Sequence, residues 1–167
     1  MRGEHNSATT GIVSKSFTFG FQGIAYCNYF LDNIDRVTVI TDAVRNKMKG
    51  EALFLRAFYY NDLTQLYGDL PLILKPAKLD GDFMKTPRSA KAEVVAQILK
   101  DLDLAISYLP ATTFSDGRAV KGSAIALKTR VLLNNERYSE AADAAWTLIG
   151  DAGNPFRLSD NYAGIFF

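Results

Sequence analysis

The feature that most constrains the fold of this chain is the apolar stretch at residues 49–72. One set of apolar residues recurs in and just before it at the three- and four-residue spacing of a helical face: Met48, Ala52, Leu55, Tyr59, Leu63 and Leu66. Two further stripes widen that surface: Leu53, Ala57 and Tyr60, and Phe54 with Phe58. A helix that is apolar around most of its circumference has to be covered on several sides. The sequence therefore predicts a central core helix, beginning near Asp42 and stopped by Gly68 and Pro71.

Four further segments carry the periodicity of amphipathic helices, namely residues 17–31, 89–109, 123–133 and 138–149. Ser89 is the predicted N-cap of the second of these, and Pro110 ends it. No strand pairing is evident. The prediction is an all-α fold of stacked antiparallel helical hairpins, with about five main helices and long loops. Residues 1–15 are expected to be a flexible leader, and residues 16–167 a single helical domain.

The last two helices are expected to form a tight hairpin, because only residues 134–137 separate them. The spacing Tyr138-x-x-Ala141-x-x-x-Ala145 resembles the second helix of a tetratricopeptide repeat (TPR), although the first helix lacks the usual tryptophan and glycine. Five residues of the second helix are predicted to face inward: Ala141, Ala142, Ala145, Leu148 and Ile149. Stacked hairpins of this kind usually provide binding surfaces.

Charge and composition exclude several classes of function. The 167 residues are 48% hydrophobic, and 19 basic and 18 acidic residues leave a net charge of +1. The charge therefore gives no case for a nucleic-acid partner or an anionic membrane surface. The single Cys27 lies in an apolar pattern and is predicted to be a buried structural thiol. The single His5, in the leader, rules out a histidine-rich zinc site.

No arrangement of residues in the sequence supports catalysis. Asp101 and Asp103 stand two apart on a helix and so point in different directions, while Glu136 and Glu140 are expected on a solvated helix end. The stretches that start at Gly20 and at Gly117 lack the lysine and the preceding strand of a phosphate loop. We therefore expect neither an enzyme nor a bound metal or cofactor.

The central stretch contains the pattern Glu51-Ala52-x-Phe54-Leu55-Arg56-Ala57-x-x-Tyr60-x-x-Leu63-x-x-x-Tyr67-Gly68-Asp69-x-Pro71-Leu72. This pattern closely resembles the signature helix of the SusD/RagB family, the outer-membrane nutrient-binding lipoproteins of Bacteroidetes. Segments at 2–4, 17–31, 94–110, 121–131 and 160–166 are similar to other family segments, in the family's order. The resemblance spans nearly the whole chain. Because family members are several times longer, it implies the N-terminal TPR-like portion, a SusD-like α–α superhelix that is a fragment of a longer protein.

The resemblance further implies a lipid-anchored protein at the outer surface of the outer membrane, with the anchor outside this sequence. Such proteins capture oligosaccharides without catalysis and deliver them to a TonB-dependent, SusC-like transporter. Two alternatives stay open: a peptide-binding uptake lipoprotein of the RagB type, and a TPR-type protein-interaction module with no small ligand. We also expect the fragment to self-associate through apolar surface that the rest of a family member would cover.

Aromatic residues are the natural candidates for sugar contacts, but the sequence assigns no ligand-binding residue. Phe83 and Phe114 lie in predicted polar loops, where they either contact ligand or fold back over the helices. A second group lies in helical stripes and is predicted to belong to the core: Phe17, Phe19, Tyr59 and Tyr60.

Overall fold

Five α-helices follow one another in the computed structural model, which describes residues 11–77, 85–112, 116–150, 156, 161 and 163–165. They are α1 (Ile12–Asn33), α2 (Asp42–Tyr67), α3 (Lys91–Tyr108), α4 (Lys121–Asn134) and α5 (Tyr138–Ile149). Short 3-10 turns lie at Ile34–Arg36 and Ala163–Ile165. The all-α prediction and the number of main helices are confirmed.

Each helix packs mainly against the helix that precedes or follows it in the chain. Along α1 and α2 the contacts run in opposite directions, since Gly20 lies beside Leu63 and Gly23 beside Tyr59. The α2–α3 pair is also antiparallel, because Gly50, near the start of α2, contacts Leu109 at the end of α3. The short turn between α4 and α5 imposes the same arrangement there. The predicted stack of antiparallel hairpins is therefore confirmed.

The central helix α2 has the predicted ends. It begins at Asp42, where the Thr41 hydroxyl accepts a hydrogen bond from the Val44 backbone N–H. It ends at Gly68, whose φ of 70° is a conformation that residues with a side chain rarely adopt. The Thr64 hydroxyl donates to the Gly68 carbonyl group, which reinforces this end of the helix.

Only part of the longest stripe predicted for α2 faces the core. Leu53, Ala57 and Tyr60 are all buried, and the last two are fully inaccessible. Leu55 and Leu66, from the longer predicted stripe, are 43% and 60% exposed. Periodicity identified all the apolar faces of α2, but the positions of α1 and α3 decide which faces are covered.

The prediction that no strands pair was wrong at one place. Strands β1 (Leu70–Pro71) and β2 (Arg88–Ser89) form a two-residue antiparallel pair on either side of the α2–α3 connection. This pair also displaces the predicted cap of α3, because the N-cap residue is Ala90 and its side chain makes no capping hydrogen bond. The Asp69 Oδ1 atom instead accepts a hydrogen bond of 2.8 Å from the Lys91 N–H.

A buried polar cluster of Asn28, Arg56, Asp101 and Gln97 joins α1, α2 and α3. The Arg56 guanidinium donates to both carboxylate oxygens of Asp101, at 2.7 and 2.8 Å, and to Asn28 Oδ1 at 2.9 Å. Gln97 donates to Asp101 Oδ1 at 2.7 Å. Asn28 in turn donates to the Ile73 carbonyl oxygen at 2.8 Å. A buried ion pair needs such additional hydrogen bonds to offset its loss of hydration.

The α4–α5 hairpin has the predicted α5 range but a different inner face. Ala141 is buried, whereas Ala142 and Ile149 are exposed, and Ala145 and Leu148 are only half-buried. The prediction of five inward residues was therefore wrong for Ala142 and Ile149. Among the helices, α5 packs substantially on α4, and within the described residues a single narrow stripe of α5 is covered.

Two helices begin earlier than the sequence indicated. Helix α1 starts at Ile12, so the boundary expected between a leader and the domain at residue 15 lies inside a helix. Helix α4 starts at Lys121, because the Ser123 hydroxyl reaches back to accept a hydrogen bond from the Val120 N–H. No helix in the described ranges is long and apolar enough to cross a bilayer.

Candidate functional site

A groove of about 460 Å³ with an aromatic rim lies between α1 and α2. We call it the aromatic groove. Its apolar lining consists of Phe19, Gly20, Phe58, Tyr59, Leu63 and Leu66. Its polar lining consists of Ser16, Asp62 and Gln65. Phe19 is 64% exposed and Phe58 37% exposed, so both offer ring surface to solvent.

Two glycines of α1 shape this groove. A Cβ atom on Gly20 would lie 2.8 Å from the Leu63 side chain, and one on Gly23 would lie 2.4 Å from the Tyr59 ring. Any larger residue at either position would therefore force the α2 side chains to move. The Gly20-x-x-Gly23 spacing lets α1 approach α2 closely and holds the Tyr59 ring against the α1 backbone.

Asp62 is the acidic group of the aromatic groove. Partial burial raises the pKa of its carboxyl group, while a hydrogen bond with the Asn61 side chain and the charge of Arg130 act in the opposite direction. Arg130 belongs to α4 and is not among the residues that line the groove. Within the described part of the chain, the groove lining thus contains one acidic side chain and no basic one.

A second groove, of about 780 Å³, lies between α3, α4 and α5. We call it the charged groove. Its apolar lining includes Ile106, Ile125, Leu132, Leu148 and Phe156. Lys121 and Lys128 line it from α4, and Glu140 and Asp143 from α5. The Phe156 ring packs on Gly122, where an added Cβ would lie 2.4 Å from the ring.

The outer face of α5 is apolar and uncovered in the described part of the chain. Tyr138, Trp146 and Ile149 are 63%, 68% and 41% exposed, and the small Ala142 lies between them on the same face. Single exposed apolar residues are ordinary on protein surfaces, but several on one helix face form a patch that another surface can cover. The expected self-association stays a prediction, and these residues are the ones on which it depends.

Several chemically reactive groups among the described residues are buried or engaged in ion pairs. Cys27 is buried as predicted, and burial raises the pKa of its thiol to about 11. Asp101 is held by Arg56, whereas Asp103 forms a surface ion pair with Lys128, so the two carboxylates do diverge. Glu140 pairs with Arg137. Within the described residues, no three His, Cys, Asp or Glu side chains are grouped as metal ligands.

The aromatic residues named from the sequence have different outcomes. Tyr60 is buried as predicted, and Phe17 packs against the core. Phe19 was assigned to the core and is instead largely exposed, at the rim of the aromatic groove. Tyr59 packs partly against the core and also lines the aromatic groove. Phe83, Phe114 and His5 lie outside the described residues.

Sequence reasoning missed both grooves and the polar cluster. Arg56 and Asp101 each interrupt an apolar stripe, and a charge inside such a stripe was the available signal of a buried ion pair. No signal linked the two, since they are 45 residues apart. The Gly20-x-x-Gly23 spacing was an available signal of close helix approach.

Comparison with known proteins identifies the family to which this sequence belongs. Residues 2–133 match the model of a SusD-like family described as "Starch-binding associating with outer membrane". The chain belongs to this family. It is 30% identical over 160 residues to SusD-like protein P2 of Formosa agariphila, an alignment that covers 93% of this chain and 31% of that protein.

Solved structures agree with the family match. A SusD-like protein from Bacteroides fragilis superimposes with a TM-score of 0.81 at 31% identity, over 89% of this chain and 28% of that one. A laminarin-binding SusD-like protein gives 0.80 at 26% identity, over 90% and 34%. Surface glycan-binding protein A from Bacteroides uniformis gives 0.74 at 26% identity, also over 90% and 34%. The chain thus spans about a third of the length of these relatives.

Proposed function

We propose that this chain is the helical, TPR-like portion of a cell-surface protein that binds oligosaccharides. The observation that carries the proposal is the family match over residues 2–133, whose description names starch binding and the outer membrane. Two structural relatives, described as laminarin-binding and as glycan-binding, support the same class of ligand. Because the chain spans about a third of such proteins, part of the ligand site can lie beyond it.

The second part of the proposal is delivery of the bound glycan to a TonB-dependent, SusC-like transporter in the outer membrane. The resemblance of the central helix and the order of the other segments to SusD/RagB proteins support it. In this role the protein is lipid-anchored at the outer face of the outer membrane and binds its ligand without converting it.

Affinity electrophoresis tests the carbohydrate function directly. The protein is run through native gels that contain amylopectin, laminarin or alginate, with bovine serum albumin as a non-binding reference. We expect retardation in at least one of the gels. Equal mobility in every gel, for both this chain and the full-length protein, would contradict the function. Co-purification of the full-length protein with a co-expressed SusC-like barrel tests the transport step separately, and purification without the barrel would contradict that step.

A TPR-type interaction module is the alternative function, and the charged groove favours it. Its apolar floor is bordered by Lys121 and Lys128 of α4, by Glu140 and Asp143 of α5, and by Asp103 of α3, which pairs with Lys128. A charged rim around an apolar floor suits an extended peptide with an aromatic anchor. Phe156 already occupies such a position on Gly122. Binding of a Phe-containing peptide array, together with no retardation in any polysaccharide gel, would favour this alternative.

A further inference from the structure

The aromatic groove combines three kinds of group that sugar recognition requires. Phe19 and Phe58 present partly exposed rings at its rim, and buried Gly20 and Leu63 form its floor. Asp62 and Gln65 are exposed side chains that line the same space. A volume of about 460 Å³ falls within the range of small-ligand sites.

The spacing on α2 places these groups within reach of one ligand. Phe58, Asp62 and Leu66 follow one another at four-residue intervals, so they form one ridge along the helix. Phe19 faces this ridge from α1, at a separation fixed by the close approach at Gly20. The rings and the carboxylate therefore border the same groove from two helices that pack directly on each other.

A hexopyranose matches this arrangement in shape and polarity. Its axial C–H groups form apolar faces that stack on aromatic rings, and its hydroxyl groups form a polar edge. An ionised carboxylate accepts hydrogen bonds from two neighbouring hydroxyls, and an amide both donates and accepts. A purely apolar ligand would leave Asp62 and Gln65 without a function in the groove, whereas a sugar uses both.

The charge of the lining selects among sugars. Of the described residues that line the groove, Asp62 alone has a carboxyl group and none is basic, so an acidic sugar such as a uronate would bring a second carboxyl group next to it. A neutral hexose carries no such penalty. We propose that the aromatic groove is a binding subsite for a neutral hexose unit, stacked on Phe19 and Phe58 and hydrogen-bonded by Asp62 and Gln65. This assignment rests on the proposed carbohydrate function.

Substitutions in the groove, with matched aromatic controls, test the assignment. Phe19→Ala, Phe58→Ala and Asp62→Ala each remove one contact from an exposed or partly exposed position. Tyr26→Ala and Trp146→Ala remove exposed rings outside the groove, at 74% and 68% exposure. The probes are amylopectin and laminarin, which are neutral, and alginate, which is anionic. Circular dichroism melts confirm that each variant is folded.

We expect retention by a neutral glucan, weakened at least about tenfold by each groove substitution and unchanged by the two controls. Chemical-shift changes on titration with a short oligomer of that glucan should concentrate at residues 16–20 and 58–66. Glucan binding that is indifferent to all three groove variants would overturn the subsite and leave the proposed function standing. Preference for alginate would overturn the neutral-sugar assignment. Absence of binding to every polysaccharide would overturn both proposals.

Discussion

The α1–α2–α3 layer and the α4–α5 hairpin are both built from antiparallel helices, yet they are held together differently. Arg56 in the first is buried and bonded to groups on two other helices. In the second, Arg137 and Glu140 pair at the surface, and Ala141 is the only buried residue that α5 contributes. The comparison teaches that an apolar helical pattern predicts an amphipathic helix, but not how much of its apolar surface is covered.

Breaking the buried pair in the first region should have the largest effect. We expect Arg56→Met or Asp101→Leu alone to lower the free energy of unfolding by about 3–5 kcal/mol, because each leaves an uncompensated buried charge. The double variant removes both charges and should recover most of that loss. Urea unfolding followed by circular dichroism measures all three. Single losses no larger than that of the double variant would show that the pair is not a coupled unit.

The uncovered face of α5, in the α4–α5 hairpin, leads us to expect self-association. The chain should self-associate with increasing concentration in sedimentation velocity, because Tyr138 and Trp146 offer apolar surface to another molecule. Trp146→Ser should weaken this association about tenfold or more, as loss of a central aromatic side chain does at interfaces. Tyr26→Ser, on α1, is the matched control. A monomer at every concentration would contradict the prediction.

Alkaline pH should destabilise the first region selectively. Burial raises the pKa of Cys27 from 9.0 to about 11 and that of Tyr60 from 10.0 to about 12. Between about pH 9 and 12 the unfolded chain therefore releases protons that the folded chain keeps, and the free energy of unfolding falls as pH rises. Cys27→Ala and Tyr60→Phe should each flatten this decline, measured by urea unfolding at a series of pH values. An identical pH slope in all variants would argue against buried neutral groups.

The hydrogen bond that caps α3 should contribute a smaller amount to the free energy of unfolding. We expect Asp69→Ala to cost about 1 kcal/mol, because the Lys91 N–H then loses its hydrogen-bond acceptor at the helix start. Ser89→Ala should change stability less, since Ser89 is not the cap residue. Thermal unfolding of the two variants under identical conditions distinguishes them. A larger loss for Ser89→Ala would restore the cap that the sequence suggested.

The surface ion pair between Arg137 and Glu140 should contribute least to stability. Arg137→Ala is expected to change the unfolding midpoint less than Asp69→Ala, since exposed ion pairs are well solvated. Its effect should instead appear in the titration of Glu140, where the hydrogen bond from Arg137 lowers the carboxyl pKa. Carbonyl-detected NMR should show that pKa returning toward its usual value. An unchanged Glu140 titration would mean that the pair does not persist in solution.

Much of the fold was predictable because the signals were local. The end of α2 followed from Gly68, and the limits of α5 from its short turn and its glycine stop. The cap of α3 was not predictable, since Asp69 lies 22 residues before the Lys91 N–H that it binds. The strand pair likewise joins residues on opposite sides of a long connection.

The aromatic groove could not be predicted from the sequence either, because it depends on how two helices pack. Phe19 and Tyr59 fall in apolar stripes, and a stripe alone predicted that both belong to the core. Their actual environments depend on where α1 crosses α2, which Gly20 and Gly23 determine through close backbone approach. Only the geometry of the two helices together identifies a groove with an exposed ring at its rim.

The residues just after α2 also fasten the connection that leads to α3. Asp69 caps α3, and Leu70 and Pro71 pair with Ser89 and Arg88, so the two ends of this connection are held against each other. The entropy of closing a loop rises only slowly with its length. The connection between Ala77 and Lys85 can therefore be lengthened at small cost while the helices keep their register.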